Sequence, residues 1–304
     1  EFVRFVHYYE SGGASPRVTR PPGVEGWLPI AALMNLKYLI QTAEWPAVHP
    51  AGLLLLIAFL AVSVAFRKSF CSWLCPVGTL SEWLWKIGKE AFGRNWKLPR
   101  WVDIPLRGLK YILLGLFLYA VGSMTSPAIH AFLKGPYGQV ADVKMLDFFR
   151  YLSLTAAITL AVVVALSFFV QNFWCRYLCP YGALMGLAAL FSPARIRRDA
   201  GLCIDCAKCA KACPSLLPVD KLVAIRSAEC TGCLDCVLVC PVEGALKLSV
   251  GRRRSMPPWL VAAGIAVVFF GACIYGRLSG HWHTLVPEEV YFQLIPHARE
   301  LAHP

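Results

Sequence analysis

Four long apolar stretches constrain this chain more than anything else in it. They cover about residues 49–66, 108–128, 149–173 and 258–275. Each approaches the ~20 residues a helix needs to cross the hydrocarbon core of a bilayer. A backbone in lipid must satisfy its own amides and carbonyls, and a helix does so within one segment. Hydrophobic residues make up 57% of the chain and charged ones 16%, against roughly 45–50% and 25% in a soluble domain. The pattern predicts a polytopic α-helical membrane protein with about four spans. The segment Trp27 to Ala43 is apolar but carries Asn35 and Lys37 and follows Pro21-Pro22. It reads as a re-entrant or interfacial helix. Lys86 to Arg107 reads as an amphipathic surface segment. The chain opens at Glu1 rather than Met, with no signal-peptide pattern, which leaves room for a further helix upstream of Phe2.

Basic residues set the expected orientation. Arg67, Lys68, Lys86, Lys89, Arg94, Lys97, Arg100, Arg107 and Lys110 follow the first stretch. Arg195, Arg197, Arg198 and the triplet Arg252-Arg253-Arg254 lie between the third and fourth. The loop between the second and third holds only Lys134, Lys144 and Arg150, partly offset by Asp142 and Asp147. The positive-inside rule then places these basic segments in the cytoplasm and both ends of the chain in the periplasm of a bacterial inner membrane. Lys110 is expected to snorkel to the interface. The net charge of +12 is accounted for by this bias; no motif points to nucleic acid.

Twelve of the thirteen cysteines fall into metal-ligand spacings, which argues for metal-bound thiolates in a reducing compartment rather than disulfides. Cys203, Cys206, Cys209 and Cys213-Pro214 form one C-x2-C-x2-C-x3-C-P run, and Cys230, Cys233, Cys236 and Cys240-Pro241 form another. This is the run of bacterial two-cluster ferredoxins, whose fourth cysteine serves the other cluster. Three thiolates on a tight loop wrap three corners of a cubane, and the Cys-Pro turns away. Cys203, Cys206, Cys209 and Cys240 are therefore expected to hold one [4Fe–4S] cluster, and Cys230, Cys233, Cys236 and Cys213 a second. Zinc sites use paired C-x2-C units instead. Small spacers, Ala207 and Gly232, suit close backbone approach to a cluster.

A further repeat reads aromatic-Cys-x-aromatic-Leu-Cys-Pro-x-Gly-x-Leu: Phe70-Cys71 to Cys75-Pro76-Val-Gly78, and Trp174-Cys175 to Cys179-Pro180-Tyr-Gly182. Each copy follows an apolar stretch, implying two related halves. On a helix, positions i and i+4 share a face, so each copy would present two sulfurs to one side. Four converging thiolates would suffice for a third metal centre; thiol chemistry and plain packing remain the alternatives. Cys273 reads as packing. The expected domains are an interfacial segment 1–48, a transmembrane region 49–198, a small α+β two-cluster ferredoxin domain 199–250, and a last span with its tail, 251–304.

Both C-x3-C-P copies, the two cysteine runs and the order of spans resemble the membrane polyferredoxin family of NapH-type quinol dehydrogenase subunits and the membrane portion of NosR. The stretch Arg20-Pro-Pro-Gly-Val-Glu-Gly-Trp-Leu-Pro is similar to members of the same group. The resemblance implies exchange of electrons with menaquinone or ubiquinone and transfer to other redox subunits, a cytochrome or iron–sulfur protein. It implies an electron-transfer subunit of a complex, since no nucleotide fingerprint or nucleophile–base pair suggests an independent enzyme. Within these residues the chain departs from NosR in having no flavin-bearing domain ahead of the spans. It also lacks the immunoglobulin-like domain that follows the last span in oxidase-assembly relatives of the CcoG type. An assembly factor for a respiratory complex is the alternative function. His49, His130, His281 and His283 are expected near the outer face, as proton acceptors at a quinone site, as haem ligands, or simply as interfacial histidines.

Overall fold

A computed structural model describes residues 1–251 and 254–302; Arg252 and Arg253 of the basic triplet lie outside the described residues. The chain divides into two compact units, residues 1–58, 117–157 and 270–304, and residues 59–116 and 158–269. Each change of unit along the sequence falls inside an apolar helix: Pro50–Phe66, Arg100–Ser123, Leu154–Phe169 and Pro258–Leu278.

Arg100–Ser123, with 24 residues, and Pro258–Leu278, with 21, are long and apolar enough to cross a membrane. Their outward residues suit lipid rather than water: Tyr119 is 77% exposed and Val267 72%. The other two helices are shorter than the apolar stretches suggest. Pro50–Phe66 has 17 residues and Leu154–Phe169 has 16, or about 25 Å at 1.5 Å per residue. The third apolar stretch is broken, because Ala141–Arg150 and Leu154–Phe169 meet at a bend of 81°. Ser153 makes that break a helix start, its Oγ accepting from the amide of Ala156 at 3.3 Å in the manner of an N-cap.

In the first unit the helix Phe2–Glu10 packs on Glu288–Leu294 around Phe5, Tyr9, Val143, Tyr291 and Ile295. A second cluster joins Met34, Val48, Ile129 and Leu133. The segment expected to be re-entrant or interfacial forms the helix Pro29–Thr42, with Pro at its start and Ala43 left-handed at its end, the usual asymmetry of helix termini. Lys37, which breaks the apolar pattern, donates to the carbonyls of Gly122 at 2.7 Å and Val121 at 3.1 Å. It thereby satisfies the last turn of Arg100–Ser123 with a cation.

In the second unit, strands β1 (Ala194–Arg198), β2 (Leu246–Val250) and β3 (Arg254–Ser255) form an antiparallel sheet in that order. Between β1 and β2 lie the two short helices Lys208–Ala212 and Asp235–Leu238. The segment expected at the surface, 86–107, is largely helical. Pro76–Phe92 ends at a left-handed Gly93, and the next helix begins at Arg100. Gly88 lets that helix approach the chain closely, since a Cβ there would stand 1.9 Å from the carbonyl oxygen of Phe168.

Three of the basic residues counted toward orientation are buried. Arg67 and Lys68 are 1% and 3% exposed. A left-handed Arg67, φ 68°, turns the chain inward. The Arg67 guanidinium donates to the carbonyls of Ala189 and Ser227. Lys110 does not snorkel; it is fully buried and pairs with Glu229 at 2.5 Å.

Candidate metal centres

Both cysteine runs adopt the same unusual backbone. In the first, Asp205 and Ala207 have positive φ; in the second, Gly232 and Leu234 do, at the corresponding positions. Ala207 and Leu234 then cap the short helices Lys208–Ala212 and Asp235–Leu238. Alternating right- and left-handed residues turn successive amides toward one side, forming a nest for an anion. For non-glycine residues the left-handed conformation costs about 1–2 kcal/mol each, and strain repeated at equivalent places marks a functional constraint. Gly232 also touches the chain closely: a Cβ would stand 2.7 Å from Ser69 Oγ.

The runs surround two separate cavities. One is lined by Cys203, Cys206, Cys209 and Cys240. The other is lined by Cys213, Cys230, Cys233 and Cys236. Each cavity thus meets three cysteines of one run and the last of the other. Both linings are otherwise largely apolar, with Ile204, Val242 and Leu246 in the first and Ile196, Leu217 and Ile225 in the second. Among the described residues no three His, Cys, Asp or Glu side chains converge closely enough for a single ion. Ligands ringed around a cavity suit a cluster, which spreads its thiolates over its corners. Burial pushes the Cys209, Cys213, Cys233 and Cys236 thiols up, so thiolates there need a cationic partner, which iron supplies.

The C-x3-C-P copies also share one local geometry, in which the two cysteines of a copy do not lie on one regular helix. Cys71 lies in the short helix Phe70–Trp73 and Cys175 in the π-helical turn Trp174–Leu178. The amide of Cys75 bonds the carbonyl of Phe70 at 2.9 Å, and that of Cys179 bonds Trp174 at 3.0 Å. These i to i−5 bonds close a wide turn, a form frequent at functional sites. Cys75 and Cys179 then become extended N-caps of the helices Pro76–Phe92 and Pro180–Leu190, because the following proline fixes a helix start. Cys179 Sγ accepts from the Gly182 amide at 3.2 Å. Gly78 is tighter, for a Cβ there would stand 2.0 Å from the carbonyl oxygen of Cys71.

A third cavity is lined by Cys71 and Cys175 together with Lys68, Arg176 and Glu229. Cys75 and Cys179 do not line it, though both act electrostatically on Cys71. Burial pushes Cys71 and Cys75 up, and Cys175 to about 12. The charged residues around this cavity carry no motif, and sequence reasoning missed them. Glu229 accepts from Lys110 and, at 3.1 Å, from the Tyr111 hydroxyl. Burial alone would raise its carboxyl, but the Lys68 and Lys110 charges outweigh that and lower it. Arg176 donates to Asp103 at 3.0 and 3.1 Å and to the Ser215 carbonyl at 2.6 Å.

The four histidines do not form one site. His49 is 1% exposed and belongs to a buried network: its Nε2 lies 2.7 Å from the Gly138 carbonyl and its Nδ1 3.2 Å from Arg20. Arg20 pairs with Glu25 at 2.6 Å and Asp142 at 2.8 Å. The Arg20 to Pro29 stretch therefore starts with a buried ion-pair hub. His130 stacks on Tyr38, with ring centroids 5.7 Å apart, beside a cavity also lined by Asn35, Trp45 and Val48. His281 packs on Trp45 at 4.6 Å. His283 is exposed.

Apolar helices of membrane-crossing length and two equivalent cysteine loops around cavities define the class: a membrane-associated, ferredoxin-type iron–sulfur protein. The family model described as a 4Fe-4S binding domain matches residues 48–99 and 152–198, which contain the two C-x3-C-P copies. The model described as a 4Fe-4S dicluster domain matches residues 195–249. YccM of Escherichia coli (strain K12), provisionally named an electron transport protein, is 50% identical over 99% of this chain and 86% of its own length. The regulatory protein NosR of Pseudomonas aeruginosa is 32% identical over 66% of this chain but only 28% of its own length. The ferredoxin-type protein NapH of Haemophilus influenzae is 26% identical over 64% of this chain and 66% of its own. No solved structure matches. The chain belongs to the ferredoxin-type 4Fe-4S family that includes YccM.

Proposed function

We propose that the chain relays single electrons between the quinone pool and a redox partner, through two [4Fe–4S] clusters and a third centre at the C-x3-C-P cysteines. The observation that carries this reading is the interleaving of the cysteine runs. Cys203, Cys206, Cys209 and Cys240 ring one cavity, and Cys213, Cys230, Cys233 and Cys236 ring the other. Clusters held by these quartets would take up and give one electron at a time. The thiolates would hold the iron, and the left-handed loops and apolar linings around them would supply the amides and the dry surroundings that tune its potential. Cys71, Cys75, Cys175 and Cys179 would hold the third centre.

In this reading the four apolar helices Pro50–Phe66, Arg100–Ser123, Leu154–Phe169 and Pro258–Leu278 are the spans, the ferredoxin domain, residues 199–250, faces the cytoplasm of a bacterial inner membrane, and both ends of the chain face the periplasm. The quinone ring would enter the cavity beside His130 and Tyr38, whose hydroxyl donates to Glu44 at 2.8 Å. The partner would be a further redox subunit docking near the clusters.

The deciding experiment mixes oxidised, detergent-solubilised protein anaerobically with excess menaquinol and follows the iron–sulfur absorbance. Rapid bleaching is expected. Bleaching by dithionite but not by menaquinol would refute oxidation of quinol by this chain.

A further inference from the structure

Among the described residues, the basic side chains at the C-x3-C-P cavity and beside it each find a hydrogen-bond partner, save one. Lys110 is paired with Glu229 at 2.5 Å and Arg176 with Asp103 at 3.0 Å. The Arg67 guanidinium is held by two carbonyls. Lys68 is only 3% exposed, and among the described residues its ammonium makes no hydrogen bond or ion pair. A buried charge of this kind is destabilising unless something anionic faces it. The side chain does not point at random: it lines the cavity of Cys71 and Cys175. Its Nζ also lies 3.4 Å from where a Gly182 Cβ would stand, with Cys179 Sγ 3.5 Å from the same point. The ammonium and the sulfur thus lie beside the same point at the helix start. The ionisable groups that act on it are Cys71, Glu229, Cys179 and Cys175, and three of the four are thiols that metal binding would make anionic.

We propose that Lys68 is the built-in counter-charge of the third centre, and that it sets that centre's reduction potential. The inference rests on the third centre of the proposed function and adds the residue that tunes it. Metal-bound thiolates from both copies make the cavity anionic, and a fixed ammonium offsets part of that charge. Reduction adds one electron, supplied by quinol or a chemical reductant, and therefore one more negative charge. No bond forms or breaks at Lys68, which keeps its proton throughout. Its charge stabilises the reduced form more than the oxidised form and raises the potential. Low dielectric around a 3%-exposed group strengthens the effect.

The test is potentiometric titration, followed by electron paramagnetic resonance, of the full chain and its Lys68→Gln and Lys68→Arg variants. Lys68→Gln should make reduction of the third centre at least tenfold less favourable, a shift of about 59 mV for one electron. Lys68→Arg should stay near the parent, and the ferredoxin-cluster signals should move much less in either. Loss of the third centre in Lys68→Gln but not in Lys68→Arg would equally support a counter-charge, whereas loss in both would overturn it in favour of packing. An unchanged midpoint in Lys68→Gln would also overturn it. Should Lys68→Gln fail to fold, Glu229→Gln decides: removing the neighbouring negative charge should raise the midpoint, and no rise overturns the proposal. Parent protein with the cubane iron and no third signal would instead refute the third centre itself.

Discussion

Replacing Asp103 by Ala tests whether a buried ion pair holds one C-x3-C-P copy in place. Asp103 accepts from Arg176 at 3.0 and 3.1 Å, from the Tyr177 hydroxyl at 2.6 Å, and from Arg107. The side chains of Arg176 and Asp103 are 5% and 8% exposed. Removing one member of a buried pair leaves an uncompensated charge and costs about 3–5 kcal/mol. The Tyr177 hydroxyl, whose residue is 1% exposed, would lose its acceptor as well, adding roughly 1–3 kcal/mol. The Ser215 carbonyl, 2.6 Å from Arg176, remains and keeps the total toward the lower end. The expected loss is therefore about 4 kcal/mol. Anaerobic unfolding in detergent, followed by cluster absorbance, measures it. Asp103→Asn keeps one acceptor oxygen and should lose less. Because Arg176 and Tyr177 sit between Cys175 and Cys179, the third centre should fail before the ferredoxin clusters do. A loss under about 1 kcal/mol, the scale of an exposed pair, would refute this account.

Three further outcomes are expected. Cys213→Ser should spare the cluster of its own run and remove the one bound by Cys230, Cys233 and Cys236, while Cys240→Ser does the converse. Each should cut the ferredoxin iron from about eight to about four, and equal damage to both clusters in either variant counts against the interleaved assignment. Gly78→Ala, whose Cβ would stand 2.0 Å from a backbone oxygen, should abolish folding of the first C-x3-C-P copy, whereas Gly182→Ala, with contacts of 3.4 Å and beyond, should be far milder; metal content and yield compare them. Glu25 governs an acid limb of stability: burial would raise its carboxyl, but His49 and Arg20 outweigh that and hold it low. Its contribution is complete above the unfolded value of about 4.3 and is lost as pH falls through the lower folded value. Hydrogen exchange across residues 22–52 should accelerate in that window, and Glu25→Gln should remove the pH dependence.

Much of the candidate site was legible because its chemistry depends on spacing along the chain. Three cysteines within seven residues can reach only one cluster, so the run Cys203, Cys206, Cys209 points to its cavity without any knowledge of the fold. The small spacers Ala207 and Gly232 were equally readable, and both adopt positive φ. Nothing in local sequence, however, says that Asp205 and Leu234 take the same conformation. The C-x3-C-P copies were visible as a repeat, and a proline after each pair is expected to end or kink a helix. What the spacing does not say is that the second cysteine of each copy becomes the cap of the next helix.

Apolar runs and duplicated cysteine motifs determined from sequence alone that the chain is helical, meets a membrane and carries iron–sulfur loops. Both signals are local: apolar length sets what a helix can bury, and ligand spacing sets what a loop can wrap. Only the tertiary structure decided the fate of the charges. Arg67, Lys68 and Lys110 look like surface cations, since charge counted along a chain says nothing of depth. Folding brings Glu229 to Lys110 across 119 residues and Asp103 to Arg176 across 73, while Lys68 is left facing the thiols of both C-x3-C-P copies. Such pairings arise from packing between distant segments, and no pattern within either segment encodes them.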